Sequence, residues 1–409
     1  MKKKIKYSKE LNFNSEANRN FIDYIKNERR TFDEYPLNEI DSLIFAWISY
    51  LQIPKDVVKE LDSNPISLNE LLSKEKVIKN IDKLYKPKKS HEFFKSIKES
   101  KRFKDITICD FVSKENLNNN LQYGSTLFNL PDGIKVIGYK GTNSTMNGWN
   151  EDLDMCFKFP IPSQEEALIQ TTRIMNKYPN SKFILTGHSK GGNLAVYAGT
   201  FIDEEKQKNI ISIYSHDGPG FLKDYAEKEE YLRVKDKIHK FIPQSSVFGL
   251  LLEYTTNYKT IQSNGFLVYQ HSPFTWLVDI KKNIFIPSPS LTKIATLFSK
   301  ATSSWMNTFS IEERERAIKL VFGIIMDNKI QTSKDLKKHI PQVIISISKL
   351  DESDKEFVKE VLKAFFSAGI NEVSHEIKAN PKIKKIKTKK GLLQNPDPKS
   401  GEQQPLFCQ

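Results

Sequence analysis

The chain has 409 residues, the length of two to three ordinary domains and enough to bury a sizeable core. It carries 63 Lys and Arg against 50 Asp and Glu, a formal net charge of +13, and its three scattered cysteines argue against a disulfide framework or a zinc site. No apolar run is long enough for a membrane-spanning helix, and the basic start lacks the apolar stretch of a secretory signal. We therefore expect a cytoplasmic protein, whose basic charge invites a nucleic-acid or anionic-membrane interpretation.

The first part of the chain has the pattern of helices. Residues 36–38 (PLN) predict a helix start, with Asn38 as the N-cap and Asp41 three residues later in the first turn. Residues 43–51 (LIFAWISYL) are apolar on nearly all sides, which is typical of a buried helix. We predict an N-terminal helical region over residues 1–105.

From residue 106 to 290, short β-type runs alternate with helical ones. A turn signal at 131–133 (PDG) joins two predicted strands, at 122–130 and 134–139. Further strands and helices are predicted in the order helix 163–178 with Ser163 as N-cap, strand 182–186, helix 192–201, strand 210–214 and strand 238–242. This alternation predicts an α/β core with crossover connections and a mostly parallel central sheet flanked by helices.

The last part of the chain returns to a helical pattern over residues 291–378, where Ser310 and Glu313 have the spacing of a capping box. Residues 379–409 are predicted to be a disordered basic tail. Five lysines lie in the first nine residues and seven between 378 and 390, with no nucleic-acid motif beside them, so no nucleic-acid partner is expected. The terminal charge favours peripheral contact with an anionic membrane, or it is simply a solvated tail.

Residues 187–191 (GHSKG) match the pattern G-x-S-x-G. They follow a predicted apolar strand and open a predicted helix of small residues, which is the setting that a nucleophilic serine on a strained strand-to-helix turn requires. The alternative is a glycine-rich connection that carries an inert serine. We predict that Ser189 is a nucleophile.

A nucleophilic serine needs a histidine base and an orienting acid, which follow it in the chain order serine, acid, histidine. His271 is the best placed downstream histidine, because it lies in a turn-prone segment after the core strands; a surface or interface histidine is the alternative. Asp217 directly follows a predicted strand and is the candidate acid, although its Asp-Gly-Pro-Gly setting is also an ordinary turn. Glu253 is the reserve candidate.

Two backbone donors are needed for the oxyanion that forms during acyl transfer. One is the N–H of Lys190, directly after the nucleophile. The other is predicted in the loop after strand 134–139, where Gly141 lets the backbone come close and Thr142 can offer its N–H and its hydroxyl. No metal or organic cofactor is predicted for this chemistry.

The motifs together carry a family resemblance. Residues 139–142 (YKGT), with the later Trp149 and Asp152-Leu153, resemble the F-R-G-T…W…D-L segment of class 3 lipases. Residues 187–195 (GHSKGGNLA) resemble the G-H-S-L-G-G-A-L-A elbow of the same family. A bacterial branch of lipase-like proteins, the Mbeg-like group, resembles the chain more closely in Lys190 of the elbow and in segments 32–43, 243–251 and 270–276.

The resemblance covers about residues 20–280 and implies an α/β-hydrolase fold for the core, with Ser189 as nucleophile, His271 as base and Thr142 in the oxyanion loop. By analogy, Asp152 braces that loop. Class 3 lipases place their acid after the strand that here reads 240–242, where this chain continues with Pro-Gln-Ser and has no carboxylate. Either Asp217 has taken the role from the neighbouring strand, or the acid is missing.

Two functions follow from these residues. The first is a serine hydrolase that cleaves a lipid or other acyl ester through an acyl-enzyme, with residues 246–254 and 274–276 lining an acyl site or forming plain core. The second is a catalytically weak hydrolase-fold protein that acts as a binding or membrane-associated module. A serine and a histidine in the right order favour the enzyme, whereas a missing acid would favour the module.

Overall fold

The centre of the fold is an eight-stranded sheet whose strands lie side by side in chain order. The computed structural model describes residues 19–143, 146–255, 257–265, 267–328 and 339–360, so the predicted basic tail and the lysines of the first nine residues lie outside it. The sheet strands are β1 (Ile66–Ser67), β2 (Thr107–Asn116), β3 (Leu121–Asn129), β4 (Lys135–Tyr139), β5 (Phe183–His188), β6 (Ile210–His216), β7 (Ile238–Pro243) and β8 (Lys259–Ile261). A separate hairpin contains β9 (Val278–Asp279) and β10 (Ile284–Phe285).

The helices of the described residues cover both faces of this sheet. Their bounds are α1 (Phe21–Asn27), α2 (Glu39–Ile48), α3 (Lys55–Ser63), α4 (Leu68–Leu71), α5 (Glu75–Ile81), α6 (Pro87–Glu99), α7 (Met146–Asp154), α8 (Pro162–Lys177), α9 (Lys190–Phe201), α10 (Glu204–Gln207), α11 (Glu229–Val234), α12 (Lys293–Thr308), α13 (Ile311–Asp327) and α14 (Ile340–Ser348). None of the helices in the described ranges is long and apolar enough to cross a membrane.

The pairing of neighbouring strands changes from antiparallel to parallel at β4. Strands β1 to β4 pair antiparallel and β4 to β8 pair parallel, with helices in the connections from β4 through β7 and a loop between β7 and β8. The predicted α/β fold with a mostly parallel central sheet is therefore confirmed, as is the hairpin of β3 and β4. Strand β2 was not predicted, because its second half is exposed and lacks the apolar alternation of a half-buried strand.

Alternating side chains of the parallel strands pack into two hydrophobic cores, one on each face of the sheet. Val136 and Ile184 face the core built with α1 to α6, whereas Ile137 and Leu185 face the core built with α8 and α9. Each strand contributes to both cores because successive side chains of a strand point to opposite faces. The N-terminal helices thus form the layer that covers one face of the sheet, with α2 packed across β4, β5 and β6.

Local signals at helix starts were confirmed in two cases and wrong in one. Asn38 caps α2 by accepting from the N–H groups of Ile40 and Asp41 at 2.8 and 3.1 Å, and Ser310 and Glu313 bond reciprocally as a capping box. Ser163 is not the N-cap of α8, which begins at Pro162. Proline has the fixed φ of a first helical residue, and the Ser163 N–H donates instead to Glu151 at 2.9 Å.

Candidate active site

The turn between β5 and α9 holds Ser189 in a strained conformation. Its φ of 59° and ψ of −133° lie outside the regions that non-glycine residues prefer, and such strain persists only where the surroundings impose it. A Cβ on Gly187 would lie 2.1 Å from the carbonyl carbon of Gly191, and one on Gly191 would lie 2.2 Å from the Tyr139 oxygen. Both glycines are required so that β4, β5 and α9 can approach, and the serine side chain stays partly exposed at the helix N-terminus.

Asp217 follows β6 directly and is hydrogen-bonded to His271. Its Oδ2 lies 2.7 Å from His271 Nδ1, and its carboxylate is fully buried. The carboxylate only accepts, so Nδ1 carries the proton and Nε2 presents its lone pair, as a general base requires. Asp217 has a φ of 53°, a second strained residue beside the first.

The Asp217 carboxylate is held by further donors. Its Oδ1 accepts from the Ser246 hydroxyl at 2.5 Å and from the Gly249 N–H at 3.1 Å. A Cβ on Gly249 would lie 2.3 Å from Oδ1, so only glycine allows this approach. Both oxygens of this buried carboxylate therefore have hydrogen-bond donors, as a buried charge requires. An aspartate in a simple surface turn would not need such donors.

Two hydrogen bonds connect the segments that carry the nucleophile candidate and the base candidate. The Ser189 N–H donates to the carbonyl of His216, the residue before Asp217, at 3.0 Å. The side chain of His188 donates from Nε2 to the His271 carbonyl at 2.8 Å, and the two imidazole rings lie 4.6 Å apart. No hydrogen bond joins the Ser189 hydroxyl to His271 Nε2 among the described residues; such a contact often tightens only when substrate binds.

The loop after β4 lies against the serine turn. A Cβ on Gly141 would lie 2.5 Å from the His188 carbonyl oxygen, so the loop backbone touches the residue before the serine. The Thr142 hydroxyl donates to both oxygens of Asp152, at 2.7 and 2.8 Å, which is the bracing that the resemblance implies. The hydroxyl is thereby engaged, and the backbone N–H is the group of Thr142 that can meet an oxyanion. Burial raises the pKa of Asp152 to about 6, although Lys190 and the Thr142 hydrogen bond lower it.

Tyr50, which no sequence signal indicated, connects these loops. Its hydroxyl donates to His188, lying 3.1 Å from Nδ1 and 3.2 Å from the carbonyl oxygen, and it sits 2.0 Å from where a Gly141 Cβ would be. Because the His188 Nε2 must donate to the His271 carbonyl, Nδ1 is the acceptor of the Tyr50 proton. Burial keeps the pKa of His188 well below its ordinary value, so the ring stays neutral and holds this one arrangement.

Replacing Tyr50 by Phe is expected to lower kcat about fivefold to tenfold, because one neutral hydrogen bond that positions His188 and His271 is lost. The KM should change little, since Tyr50 acts through other residues. Steady-state kinetics on a soluble ester would measure both constants. Tyr85→Phe, at a half-exposed tyrosine of the same N-terminal region, is the control; equal losses in both variants would contradict the positioning role.

Lys190 forms a buried ion pair beneath the serine turn. Its Nζ donates to Glu151 Oε2 at 2.5 Å and to the Gln122 carbonyl at 2.9 Å, and neither side chain of the pair is exposed. Glu151 also accepts from the backbone N–H of Gln122 at 3.2 Å and of Ser163 at 2.9 Å. The pair therefore ties the first residue of α9 to α7 and β3. Glu151 lies between Trp149 and Asp152 of the lipase-like segment, and no sequence signal indicated this role for it.

The other candidates lie elsewhere. Glu253 pairs with Lys240 and Thr255, away from His271, and so offers no acid to the histidine. His216 bonds to the Ser42 hydroxyl at 2.8 Å, and burial lowers its pKa to about 3. Phe274 and Trp276 belong to the core of the N-terminal helices, and Phe248 packs on the His271 ring at 4.2 Å. No group of three or more potential metal ligands occurs in the part of the chain that is described.

The strained serine at the end of β5, the helix that follows it and the adjoining His–Asp pair define the α/β-hydrolase class of fold. A family model described as Mbeg1-like matches residues 97–323, more than half of the chain, and the chain belongs to that family. The N-terminal layer that supplies Tyr50 lies largely before the matched residues. None of the curated proteins matches the chain.

Several solved structures of lipases are similar to the chain at low identity. The Rhizomucor miehei lipase propeptide complex is 17% identical with a TM-score of 0.31, over 42% of this chain and 66% of that one, so the chain spans just under two thirds of its length. A triacylglycerol lipase with a serine protease triad as its catalytic centre is 13% identical with a TM-score of 0.33, over 58% and 83% of the two chains. The lipase from Rhizopus microsporus var. chinensis is 17% identical with a TM-score of 0.31, over 53% and 78%.

Proposed function

We propose that this protein is a serine hydrolase of carboxylic esters, with a lipid or other acyl ester as substrate. The observation that carries the proposal is the juxtaposition of a strained serine at a helix N-terminus with a histidine that a buried aspartate orients at 2.7 Å. In this proposal Asp217 is the orienting acid, a role for which the sequence offered only candidates.

In the proposed reaction, the Ser189 hydroxyl attacks the ester carbonyl while His271 Nε2 takes its proton. The tetrahedral oxyanion accepts from the backbone N–H groups of Thr142 and Lys190. The imidazolium then gives its proton to the departing alcohol, which leaves an acyl-enzyme. Water, activated by His271, releases the acid and restores the serine.

Labelling with a fluorophosphonate tests the nucleophile, because this reagent forms a covalent bond with an activated serine. We expect the purified protein to be labelled once and Ser189→Ala to remain unlabelled, as intact-protein mass spectrometry would detect. The exposed Ser113 on β2, changed to Ala, is the matched control and should keep the label. Labelling that persists in Ser189→Ala would refute the assignment, and an unlabelled wild-type protein would favour a binding module instead.

A further inference from the structure

Gln270, the residue before the base candidate, is 3% exposed, and its side chain is paired at both ends. Its Oε1 accepts from the Ser245 N–H at 2.8 Å, and its Nε2 donates to the Gly265 carbonyl at 3.0 Å. A backbone N–H only donates and a carbonyl only accepts, so these two partners fix which way the amide points. A buried amide held in this way connects two loops at defined positions.

The bond to Ser245 leads directly to a donor of the acid candidate. Ser245 is followed by Ser246, whose hydroxyl donates to Asp217 Oδ1 at 2.5 Å. Gln270 therefore holds the start of the segment that binds this carboxylate. On its other side, Gln270 is joined by a peptide bond to His271, whose Nδ1 lies 2.7 Å from Asp217 Oδ2. One side chain thus connects the loop of the base to the loop that holds the acid.

The backbone on both sides of the base candidate is held by ring N–H groups. Trp276 Nε1 donates to the Gln270 carbonyl at 2.7 Å, and the indole is fully buried. His188 Nε2 donates to the next carbonyl, that of His271, at 2.8 Å. With both carbonyls fixed, the place of the His271 imidazole relative to the acid depends on how the two loops are joined, and the Gln270 side chain makes that connection.

We propose that Gln270 is a positioning residue of the hydrolase reaction, which sets the distance between His271 and Asp217 by tying the loop of the base to Ser245. The inference rests on the proposed function, because it concerns the same reaction. Gln270 acts through the base and the acid, so its loss should lower kcat and leave KM nearly unchanged. A misplacement of about 1 Å in a catalytic group costs about a hundredfold in rate, which sets the scale of the effect.

Gln270→Met tests this, because methionine is unbranched like glutamine and fills a similar space but offers no amide to Ser245 and Gly265. We expect its kcat for a soluble ester, per folded molecule, to fall about 10- to 100-fold, with KM within about twofold of the wild type. Circular dichroism gives the folded fraction. Gln270→Asn, whose amide is one methylene too short to span both partners, disturbs the packing less and should show a smaller loss of the same kind.

Gln207→Met is the matched control. Gln207 is also 3% exposed, its Nε2 donates to the Thr200 carbonyl at 2.6 Å, and its Oε1 accepts from Arg233 at 3.0 Å, so the variant loses comparable bonds. Gln207 lies before β6, at the opposite end of that strand from Asp217. Its replacement should leave kcat per folded molecule at the wild-type value. Equal losses of kcat in Gln207→Met and Gln270→Met would overturn the positioning role.

The hydrogen bond between His271 and Asp217 can be followed directly by proton NMR. A proton in a charge-assisted hydrogen bond to a buried carboxylate resonates far downfield, and the loss of this signal in Asp217→Asn would assign it to His271 Nδ1. We expect the signal in the wild type and in Gln207→Met, and its loss or exchange broadening in both Gln270 variants. Loss of kcat with this signal intact would overturn the proposal, because the base and the acid would still be in place.

The outcomes separate this inference from the proposed function. A wild type that neither hydrolyses esters nor takes the fluorophosphonate label refutes the hydrolase, and with it the reaction that Gln270 would serve. A wild type that does both, with kcat and the NMR signal unchanged in a folded Gln270 variant, refutes only the role of Gln270.

Discussion

Asp217→Asn is expected to lower the kcat for ester hydrolysis at least about a hundredfold and up to about 10⁴-fold, the loss that follows when a catalytic triad loses its acid. Asparagine has nearly the same shape, but its amide can turn an N–H toward His271 Nδ1 and stabilise the wrong tautomer. His271 Nε2 would then carry the proton and could no longer take one from Ser189. Because Asp217 touches the base and not the substrate, KM should change little.

Glu253→Gln is the matched control for this variant. Glu253 is also a buried carboxylate, but it forms an ion pair with Lys240 and does not contact the histidine. Its replacement should therefore cost stability while leaving kcat per folded molecule close to the wild-type value. Turnover measured alongside the folded fraction by circular dichroism separates the two effects. A large fall in kcat for Glu253→Gln, with Asp217→Asn near the wild type, would reverse the assignment of the acid.

Glu151→Gln is expected to destabilise the folded protein by about 3–5 kcal/mol, because it leaves the Lys190 ammonium buried without its counterion. A loss of this size is a large fraction of the roughly 5–15 kcal/mol by which a typical domain is stable. The Gln122 and Ser163 N–H groups donate to different oxygens of Glu151, so the glutamine oxygen can accept from only one of them and the loss includes one backbone hydrogen bond besides the unpaired charge. Urea denaturation followed by tryptophan fluorescence would give the free energy of unfolding.

The double variant Glu151→Gln/Lys190→Met provides the comparison. Removing both charges removes the unpaired ammonium, so the double variant should regain most of the stability lost in Glu151→Gln alone. Lys74→Met, which breaks an exposed pair with Glu60, should cost less than about 1 kcal/mol. A double variant no more stable than Glu151→Gln would mean that the pair contributes mainly through packing.

The orienting acid shows where prediction from sequence stopped. Asp217 could be named as a candidate because it ends a strand next to the nucleophile strand, but its Asp-Gly-Pro-Gly setting is equally compatible with a simple turn. The structure places His271, 54 residues later, against this carboxylate and adds Ser246 and Gly249 as donors. Whether Asp217 orients the histidine or only forms a turn depends on how two loops that are distant in sequence pack together. Local sequence carries no information about that packing.

The sequence by itself determined the alternation of strands and helices, the cap of α2, the hairpin of β3 and β4, and the glycine-framed serine between β5 and α9. Each of these depends on residues within one turn or one strand, where backbone sterics and periodicity act locally. Only the tertiary structure decided the contacts of Tyr50 with His188, of Glu151 with Lys190 and of Asp217 with His271. Those partners are separated by 39 to 138 positions, and they meet because helices and loops pack at one edge of the sheet.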